Sequence, residues 1–453
     1  MAAAGVSPGV KPFRGAVFAL WLLAVACAGH TLPGTIPPQS SVPAARGSGG
    51  TNDPRHAKAA HVVLISFDGF KPEYLDRFDL PNFRRAMARG TRAAMTPVFP
   101  SLTFPNHLSL VTGRYADGHG IVANSFYDPE RDQSYSLADP SAVADGSWYR
   151  AEPVWITAER QGMVAACYFW PGSEAAIGGI RPTIATKYDT SVPNEERVRA
   201  VLEWLARPDE TRPHLVTLYF SELDSVSHRT SLDSPEIERA AQSLDRRLGQ
   251  LMDGIAALSI AERVYLVLTS DHGMVDTGID RTVHLENLLD LTGVRVAFTG
   301  PVTSLHTGGD AARASAVRDR LNAKLTRGRA YLRTELPERF RYRSDPRAGD
   351  VIVVMDEGWL LHSAGTRRSA DRYGMHGWDP ALASMKALFL VTGPGIRGGA
   401  AISEVRNVDV YPFLAELLGL VPAPGIDGQP GAIAQKIMLR RDSTPLRNRA
   451  RSH

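Results

Sequence analysis

The feature that most constrains the fold of this chain is a repeated alternation of short apolar runs with amphipathic segments. The runs HVVLISF, VAACYFW, HLVTLYF and VYLVLT are apolar at nearly every position, which is typical of parallel strands buried on both faces. Segments with helical periodicity, such as SPEIERAAQSLDRRLGQLMDGI, lie between them. The alternation predicts an α/β fold with a doubly wound, mostly parallel sheet, in which functional groups follow the carboxyl ends of the strands.

The first residues have the pattern of an export signal. Lys11 and Arg14 precede the apolar stretch GAVFALWLLAVACAG, which is bounded by small residues and short for a membrane span. The pattern predicts a signal peptide over residues 1–28 and an exported protein, either periplasmic or secreted. Cys27 stands where the lipidated cysteine of a bacterial lipoprotein would stand, so a lipid-anchored form is the alternative. Because Cys167 is the other cysteine, no disulfide framework is expected.

Composition divides the rest of the chain. Residues 29–60 are rich in Pro, Gly and Ser without a hydrophobic period, and they are predicted to form a disordered linker. Residues 61–435 carry the alternating pattern and are predicted to form one large domain, with a less regular insertion at about 281–359 that is expected to cap it. Residues 436–453 form a basic tail. The net charge of +3 over 453 residues gives no reason to expect specific nucleic-acid binding.

Acidic and imidazole side chains follow three of the predicted strands. The candidates are Asp68, Asp224, His228, Asp271, His272 and, farther along the chain, His376. Each has a structural alternative, because an aspartate after a strand commonly caps a helix or forms a turn and a lone histidine is commonly hydrogen-bonded. Their expected meeting at one edge of the sheet favours two clusters of ligands for zinc or a similar divalent ion. Two such ions would hold both sides of a phosphoryl group.

Thr103 stands where a strand-like run gives way to the helical segment PNHLSLVTG. A threonine at the start of a helix is normally a cap. Beside a metal ion its hydroxyl would instead be a nucleophile for phosphorus, and the helix N-terminus would attract an anionic substrate. The residues alone leave both interpretations open. In either case, Asn106 and His107 are expected to support the turn.

Five motifs occur in a fixed order along the chain: ISFDGF, PVFPSLTFPNHLSLVTGRYADGHGIVANSFYDP, LYFSELDSVSH, LTSDHGM and MHGWDP. Together they resemble the nucleotide pyrophosphatase/phosphodiesterase family of the alkaline phosphatase superfamily, from about Val62 to Leu420. The resemblance implies an alkaline-phosphatase-like fold with a cap insertion, and it makes residues 61–435 a catalytic domain. It also implies a reaction in which a threonine attacks phosphorus between two zinc ions.

The resemblance assigns roles to individual residues. One zinc ion would be held by Asp224, His228 and His376, and the other by Asp68, Asp271, His272 and the hydroxyl of Thr103. Asn124 matches a residue that donates a hydrogen bond to a non-bridging phosphate oxygen. Phe104 and Tyr188 match aromatic residues that sandwich a nucleobase, and Tyr219 matches another residue lining that pocket. The implied cofactor is two zinc ions per chain.

One loop departs from the family pattern. Where the family has Pro-Asp, then Gly-His and often Gly-Pro, this chain has Leu223-Asp224, then Ser227-His228 and then RTSLDSP. The two ligand positions are kept, whereas the loop that follows them is different.

The expected function is that of an exported two-zinc phosphodiesterase. It would cleave phosphodiester and pyrophosphate bonds of small nucleotides and release nucleoside 5′-monophosphates through a phosphothreonine intermediate. One alternative is a choline phosphodiester or lysophospholipid phosphodiesterase, and a second is a phosphonate or monoester hydrolase of the same superfamily. A third alternative is an exported binding protein with a vestigial metal site. Contact with a membrane is expected only if Cys27 is lipidated.

Overall fold

The computed structural model describes residues 47–363 and 371–439. The predicted signal peptide, Cys27 and most of the predicted basic tail lie outside the described residues. The strands are β1 (His61–Phe67), β2 (Gly90–Thr96), β3 (Ser125–Asp128), β4 (Gln133–Ser136), β5 (Ala165–Tyr168), β6 (Ile184–Thr186), β7 (Leu215–Phe220), β8 (Val264–Thr269), β9 (Val275–Gly278), β10 (Thr282–His284), β11 (Arg295–Phe298), β12 (Val302–His306), β13 (Gly328–Leu332), β14 (Val351–Met355), β15 (Leu360–His362), β16 (Arg372–Met375), β17 (Ala387–Thr392) and β18 (Ala400–Arg406).

The helices alternate with these strands along the chain. They are α1 (Tyr74–Arg77), α2 (Pro81–Arg89), α3 (Thr103–Thr112), α4 (Ala116–His119), α5 (Pro140–Ala144), α6 (Val154–Arg160), α7 (Asn194–Leu205), α8 (Glu222–Ser227), α9 (Pro235–Ala256), α10 (Ala311–Lys324), α11 (Val410–Leu418) and α12 (Ala434–Ile437).

Eight strands form the central sheet, in the order β18-β2-β17-β8-β1-β7-β5-β6. Strands β7 and β8 both pair with β1 in parallel, and β17 runs antiparallel to its neighbours β8 and β2. The other pairs in this sheet are parallel. The arrangement confirms the predicted α/β class with a mostly parallel sheet, and it brings the carboxyl ends of β1, β7 and β8 to one edge.

Burial on both faces of the sheet explains why the strand runs are apolar at successive positions. Val62 of β1 lies in a core cluster with side chains of α3, α6 and α11, whereas its neighbour Val63 lies in a second cluster with side chains of α2, α7 and α9. Each such side chain contributes about 1.5–3 kcal/mol relative to exposure. A strand with polar residues at alternate positions would lose this contribution on one face.

The predicted insertion at about 281–359 contains a separate apolar cluster. Strands β11, β12, β14 and β13 form an antiparallel sheet in that order. Ala314, Val317 and Leu321 are the buried side chains of α10, and they belong to the same cluster as residues of β13 and β14. Strands β10 and β15, at the two ends of this segment, pair with each other. The two ends of this segment therefore lie side by side.

Residues 47–60, which fall in the predicted linker, contact the main domain. The hydroxyl of Ser48 donates to Oε2 of Glu159 at 2.5 Å, and the amide of Asn52 donates to the carbonyl of Arg212 at 2.7 Å. Composition gave no sign of these contacts, because the partners lie more than 100 positions away along the chain. Among the described residues, the structure holds no helix with the length and apolar character needed to cross a bilayer.

Candidate active site

The predicted ligand residues converge at the carboxyl edge of the central sheet. Asp68 directly follows β1, Asp271 follows β8, and Asp224 lies on α8, which begins just after β7. Since β1 lies between β7 and β8, the polar groups after these two strands fall on either side of Asp68. His376 arrives by another route, because it precedes β17, whose antiparallel direction brings its amino end to this edge.

One group of ligand atoms forms around Asp224. It contains Asp224, His228 and His376, whose ligand atoms all lie within 4.8 Å of one another. Nε2 of His228 lies 3.3 Å from Oδ1 of Asp224, and Nε2 of His376 lies 3.6 Å from the same oxygen. These are the three residues predicted to hold one ion.

A second group adjoins the first and surrounds Asp68. Nε2 of His272 lies 2.9 Å from Oδ2 of Asp271 and 3.6 Å from Oδ1 of Asp68. Ligand atoms of Asp68, Asp224 and His272 lie within 4.8 Å of one another, as do those of Asp68, His107 and Asp271. The structure therefore brings all six predicted carboxylate and imidazole ligands into two adjoining groups.

The carboxylates of these groups need a positive partner. Oδ1 of Asp68, Oδ1 of Asp224 and Oδ2 of Asp271 are buried and accept no hydrogen bond. Burial, followed by repulsion from Asp271 and Asp224, raises the pKa of Asp68 well above its ordinary value. Buried carboxylates without donors are unfavourable, whereas a divalent cation satisfies several of them at once. Three carboxylates and three imidazoles form a donor set that suits zinc.

Backbone carbonyls orient the three histidines. Nδ1 of His228 lies 3.1 Å from the carbonyl oxygen of Gly374, and Nδ1 of His376 lies 2.8 Å from that of Ser101. His272 makes the same kind of contact with the next residue at 3.1 Å. A proton on Nδ1 leaves Nε2 as the ligand atom that faces the carboxylates. Burial, followed by repulsion from His272, lowers the pKa of His376 to about 3, so this imidazole is neutral at physiological pH.

Thr103 begins α3 and lies beside the second group. Its hydroxyl is 3.4 Å from Nε2 of His272. Leu102 occupies the N-cap position of α3 and provides no side-chain hydrogen bond there. The first turn of α3 contains no acidic residue, so no side-chain charge there offsets the positive end of the helix dipole. A hydroxyl, the ligand groups and a helix N-terminus therefore meet at this point.

Asn106 holds the turn that presents Thr103. Its amide nitrogen donates to the carbonyl oxygens of Pro100 at 3.1 Å and Leu102 at 2.9 Å. Its amide oxygen accepts the N–H of Val98 at 2.7 Å. The amide nitrogen also donates to the Val98 carbonyl at 3.3 Å, so one buried side chain contacts four backbone groups of the loop between β2 and α3, which agrees with the supporting role expected for it.

Two side chains behind the predicted ligands, His107 and Tyr219, make contacts that the sequence analysis did not specify. The ring of His107 lies 2.8 Å from the Thr103 carbonyl oxygen through Nδ1 and 2.8 Å from the hydroxyl of Ser66 through Nε2. The hydroxyl of Tyr219 donates to Oδ2 of Asp68 at 2.6 Å. Burial raises the pKa of Tyr219 well above its ordinary value, so the phenol stays a donor. Tyr219 therefore orients a ligand in addition to its predicted place in the pocket wall.

A cavity of about 360 Å³ opens beside the ligand groups. Phe104, Asn124, Tyr188 and Tyr219 line it together with Thr103. Oδ1 of Asn124 accepts the backbone N–H of Phe104 at 2.9 Å, which leaves the amide nitrogen as the donor of this side chain. Tyr188 is 41% exposed. The structure thus brings all the predicted substrate residues to one cavity.

Other residues lining this cavity were missing from the sequence analysis. They include Leu137, Trp170, Glu174 and Lys187. Oε1 of Glu174 accepts the backbone N–H of Tyr188 at 2.9 Å. Trp170 follows the carboxyl end of β5, so the strand-end rule that found Asp68 could have found this segment too. A larger cavity of about 760 Å³ lies against β18 and α12, and none of the predicted site residues lines it.

Comparisons with known proteins agree with this geometry. A family model described as type I phosphodiesterase / nucleotide pyrophosphatase matches residues 62–379. Ectonucleotide pyrophosphatase/phosphodiesterase family member 1 of Mus musculus is 37% identical over 391 residues, which are 84% of this chain and 43% of that protein. Venom phosphodiesterase CdcPDE of Crotalus durissus collilineatus is 35% identical over 396 residues, or 85% of this chain and 47% of that protein. The chain spans less than half the length of these relatives.

Solved structures are similar over most of this chain. Murine ectonucleotide pyrophosphatase/phosphodiesterase 5, in an inactive form in complex with AMP, is 32% identical with a TM-score of 0.77, covering 82% of this chain and 97% of its own. Its human counterpart is 31% identical with a TM-score of 0.78, covering 83% and 99%. These similarities confirm the predicted alkaline-phosphatase-like fold. The chain belongs to the type I phosphodiesterase/nucleotide pyrophosphatase family.

Proposed function

We propose that this chain is an exported hydrolase that binds two zinc ions and cleaves phosphodiester and pyrophosphate bonds of nucleotides, releasing nucleoside 5′-monophosphates. The position of Thr103 carries the proposal, because its hydroxyl lies 3.4 Å from a histidine of the ligand groups and lines the aromatic cavity. The relatives are phosphodiesterases by name, and one solved neighbour was obtained with AMP. Both facts favour a nucleotide as the substrate.

The buried carboxylate oxygens without hydrogen bonds support metal binding at this edge of the sheet. In the proposal, one ion is held by Asp224, His228 and His376, and the other by Asp68, Asp271, His272 and Thr103. When bound, the ions would neutralise charge on a phosphoryl group and lower the pKa of a neighbouring hydroxyl.

Thr103 is the proposed nucleophile. Its Oγ1 forms a bond to phosphorus while the bond from phosphorus to the leaving oxygen breaks, and the hydroxyl proton goes to the departing group. The nucleotide is then esterified to Thr103 as a phosphothreonine. A water oxygen then forms a bond to phosphorus while the bond between Oγ1 and phosphorus breaks; one proton of the water goes to Oγ1 of Thr103, and the nucleoside 5′-monophosphate is released.

Asn124 and the start of α3 are proposed to stabilise the phosphoryl oxygens. The Asn124 amide oxygen is engaged by the Phe104 N–H at 2.9 Å, so its amide nitrogen is available to donate to a non-bridging oxygen. The positive end of the α3 dipole adds potential beside Thr103. Phe104 and Tyr188 are proposed to stack on the nucleobase, with Tyr219 forming the wall behind it.

The cavity favours a diester over a monoester. A monoester carries a second negative charge, which an arginine would neutralise well. No arginine lines this cavity in the described part of the chain, and Lys187 is its cationic residue. Asn124 is a neutral donor. One negative charge on the phosphoryl group therefore suits the residues around Thr103 better than two.

The proposal is tested with a panel of substrates at equal concentration. The panel contains nucleotide diesters, a nucleotide sugar, a choline phosphodiester, an alkyl phosphonate ester, and the monoester and diester of one aryl leaving group. We expect the nucleotide compounds to have the highest kcat/KM and the aryl diester to exceed its monoester. Faster cleavage of the choline diester would mean that the cavity binds a lipid-type substrate, and it would contradict the proposal that the cavity binds a nucleotide. Comparable rates on the aryl pair would contradict the diester preference.

Export is tested on the processed protein. The expected outcome is a mature form that begins after Ala26 or Ala28 and is recovered outside the cytoplasm. N-terminal sequencing and mass measurement distinguish simple cleavage from a form that begins at a lipid-modified Cys27. An unprocessed chain retained in the cytoplasm would contradict the signal-peptide prediction.

A further inference from the structure

We propose that Asp276 is a positioning residue for His228, and that it acts through the loop RTSLDSP at residues 229–235. This loop directly follows His228 in the chain. The inference rests on the proposed metal-binding function, because it treats His228 as a ligand.

The side chain of Asp276, on β9, forms hydrogen bonds with two residues of the loop. Its Oδ1 accepts the backbone N–H of Leu232 at 2.9 Å, and its Oδ2 accepts the hydroxyl of Ser231 at 3.0 Å. Arg372, on the neighbouring strand β16, lies 2.9 Å from Oδ2 and balances the charge. A carboxylate is suited to this position because it can accept two hydrogen bonds from the loop while it forms an ion pair with an arginine of the neighbouring strand.

The same pair of strands holds the beginning of the loop. Asp276 is paired with Gly374 across β9 and β16. The carbonyl of Gly374 lies 3.1 Å from Nδ1 of His228, and its N–H donates to the carbonyl of Thr230 at 3.2 Å. A Cβ atom on Gly374 would lie 2.8 Å from the side chain of Leu232. The loop therefore packs directly on the backbone of β16.

These contacts form one path from Asp276 to the ligand. Asp276 fixes residues 231 and 232, while Gly374 fixes residues 228 and 230. The side chain of His228 is 27% exposed, compared with 4% for His376 in the same ligand group. Fewer packed neighbours therefore orient the His228 ring. The contacts from β9 and β16 provide the orientation that packing alone does not provide.

The test measures zinc affinity, by competition with a chromogenic chelator, for the wild-type chain and for Asp276→Ala. Loss of groups that orient metal ligands weakens metal binding by about 10–100-fold. We expect Asp276→Ala to weaken one of two zinc sites by that factor and to leave the other unchanged. Asp276→Asn keeps one acceptor oxygen, and Ser231→Ala removes only the hydroxyl contact. Both should weaken the same site by a smaller factor.

Asp245→Ala is the matched control. Asp245 is a buried aspartate that accepts hydrogen bonds from Asn82 and from the N–H of Phe83 at the start of α2. It should lower Tm and leave both zinc affinities unchanged. Wild-type zinc affinities in Asp276→Ala would overturn the inference. If that variant does not fold, an unchanged affinity in Ser231→Ala overturns it instead. A wild-type chain that binds no zinc would overturn the proposed function, and the inference with it.

Discussion

The two ligand groups and the cavity beside them meet at Thr103, but they are built differently. Most of the ligands adjoin strands of the central sheet, and Asp68, Asp271, His272 and His376 are buried. The cavity wall comes from loops and short elements: Tyr188 follows the three-residue strand β6 and is 41% exposed. The difference indicates that the central sheet determines which reaction such a site can catalyse, whereas the loops determine which substrate it binds. Substitutions among the ligands should therefore lower zinc content and kcat, whereas substitutions in the cavity wall should raise KM.

The largest effect is expected at the point that the two regions share. Thr103→Ala removes the proposed nucleophile, so kcat on an aryl phosphodiester should fall by about 10⁴-fold or more. Zinc content and Tm should stay close to wild type, because the other proposed ligands of that ion, Asp68, Asp271 and His272, remain in place. Thr103→Ser should keep part of the activity. A near wild-type rate in Thr103→Ala, or a phosphoenzyme trapped on another residue, would return Thr103 to a purely structural role.

A ligand of the buried region should give the next largest effect. Asp271→Ala removes a carboxylate whose Oδ2 has no hydrogen-bond partner. We expect zinc stoichiometry to fall from two to one and kcat to fall by about 10³-fold, since loss of a single electrostatic stabiliser already costs 10²–10³. In the wild-type chain, chelation should abolish turnover and added zinc should restore it. Full activity after exhaustive metal removal would refute the two-zinc proposal.

The cavity wall should respond in KM rather than in kcat. Phe104→Ala and Tyr188→Ala should each weaken nucleotide binding by about 1–3 kcal/mol, which is the usual contribution of an aromatic stacked on a base. KM for a nucleotide diester should therefore rise, while KM for a small aryl methyl phosphodiester stays nearly constant. Equal losses on both substrates would mean that the aromatics only pack the wall.

The smallest effect on turnover is expected in the scaffold below both regions. His61, at the amino end of β1, stacks on His214 with ring centroids 4.5 Å apart, and burial lowers the pKa of His61 to about 4. The unfolded chain binds a proton near pH 6.5, so this contribution to stability is complete above that pH and is lost as pH falls toward 4.

Between pH 7 and pH 5, His61 should account for a loss of about 2 kcal/mol in the free energy of unfolding. Denaturant melts at the two pH values check this loss. His61→Phe keeps a stacked ring that does not titrate, so its pH dependence should be weaker by that amount, with kcat at pH 7 unchanged. A variant with the same pH dependence as the wild type would contradict the assignment.

The sequence was sufficient for the region that the sheet builds. Apolar runs located the strands, and the rule that ligands follow strand ends located Asp68, Asp224 and Asp271 because parallel neighbours end at one edge. Once these strands are placed, side chains far apart in the chain must meet. The alkaline-phosphatase-like fold was predicted separately, from the resemblance of five motifs to the family, and the similar solved structures confirm it.

Sequence analysis was weaker wherever a contact depends on register or loop path. Tyr219 reaches Asp68 across 151 positions, which follows only from the pairing of β1 with β7. Glu174 and Lys187 lie in segments without a periodic pattern, so nothing in the sequence indicates that they line the cavity. Residues 47–60 have the composition of a linker, yet specific carbonyls and carboxylates of the domain bind them. Composition reports average tendency and carries no information about such partners.

Strand β17, which runs antiparallel to its neighbours, can join the central sheet only late in folding. This strand lies between β8 and β2, but it is made after both, and it directly follows the segment that carries His376. A growing chain can pair β1, β5, β7 and β8 while the outer edge of β8 still lacks its neighbour and β2 has no strand linking it to the sheet. A product cut short before Ala387 would therefore combine an unpaired strand edge, which promotes aggregation, with a proposed metal site in which His376 is not anchored. Metal uptake and protection from aggregation should be acquired together, in the final stage of folding.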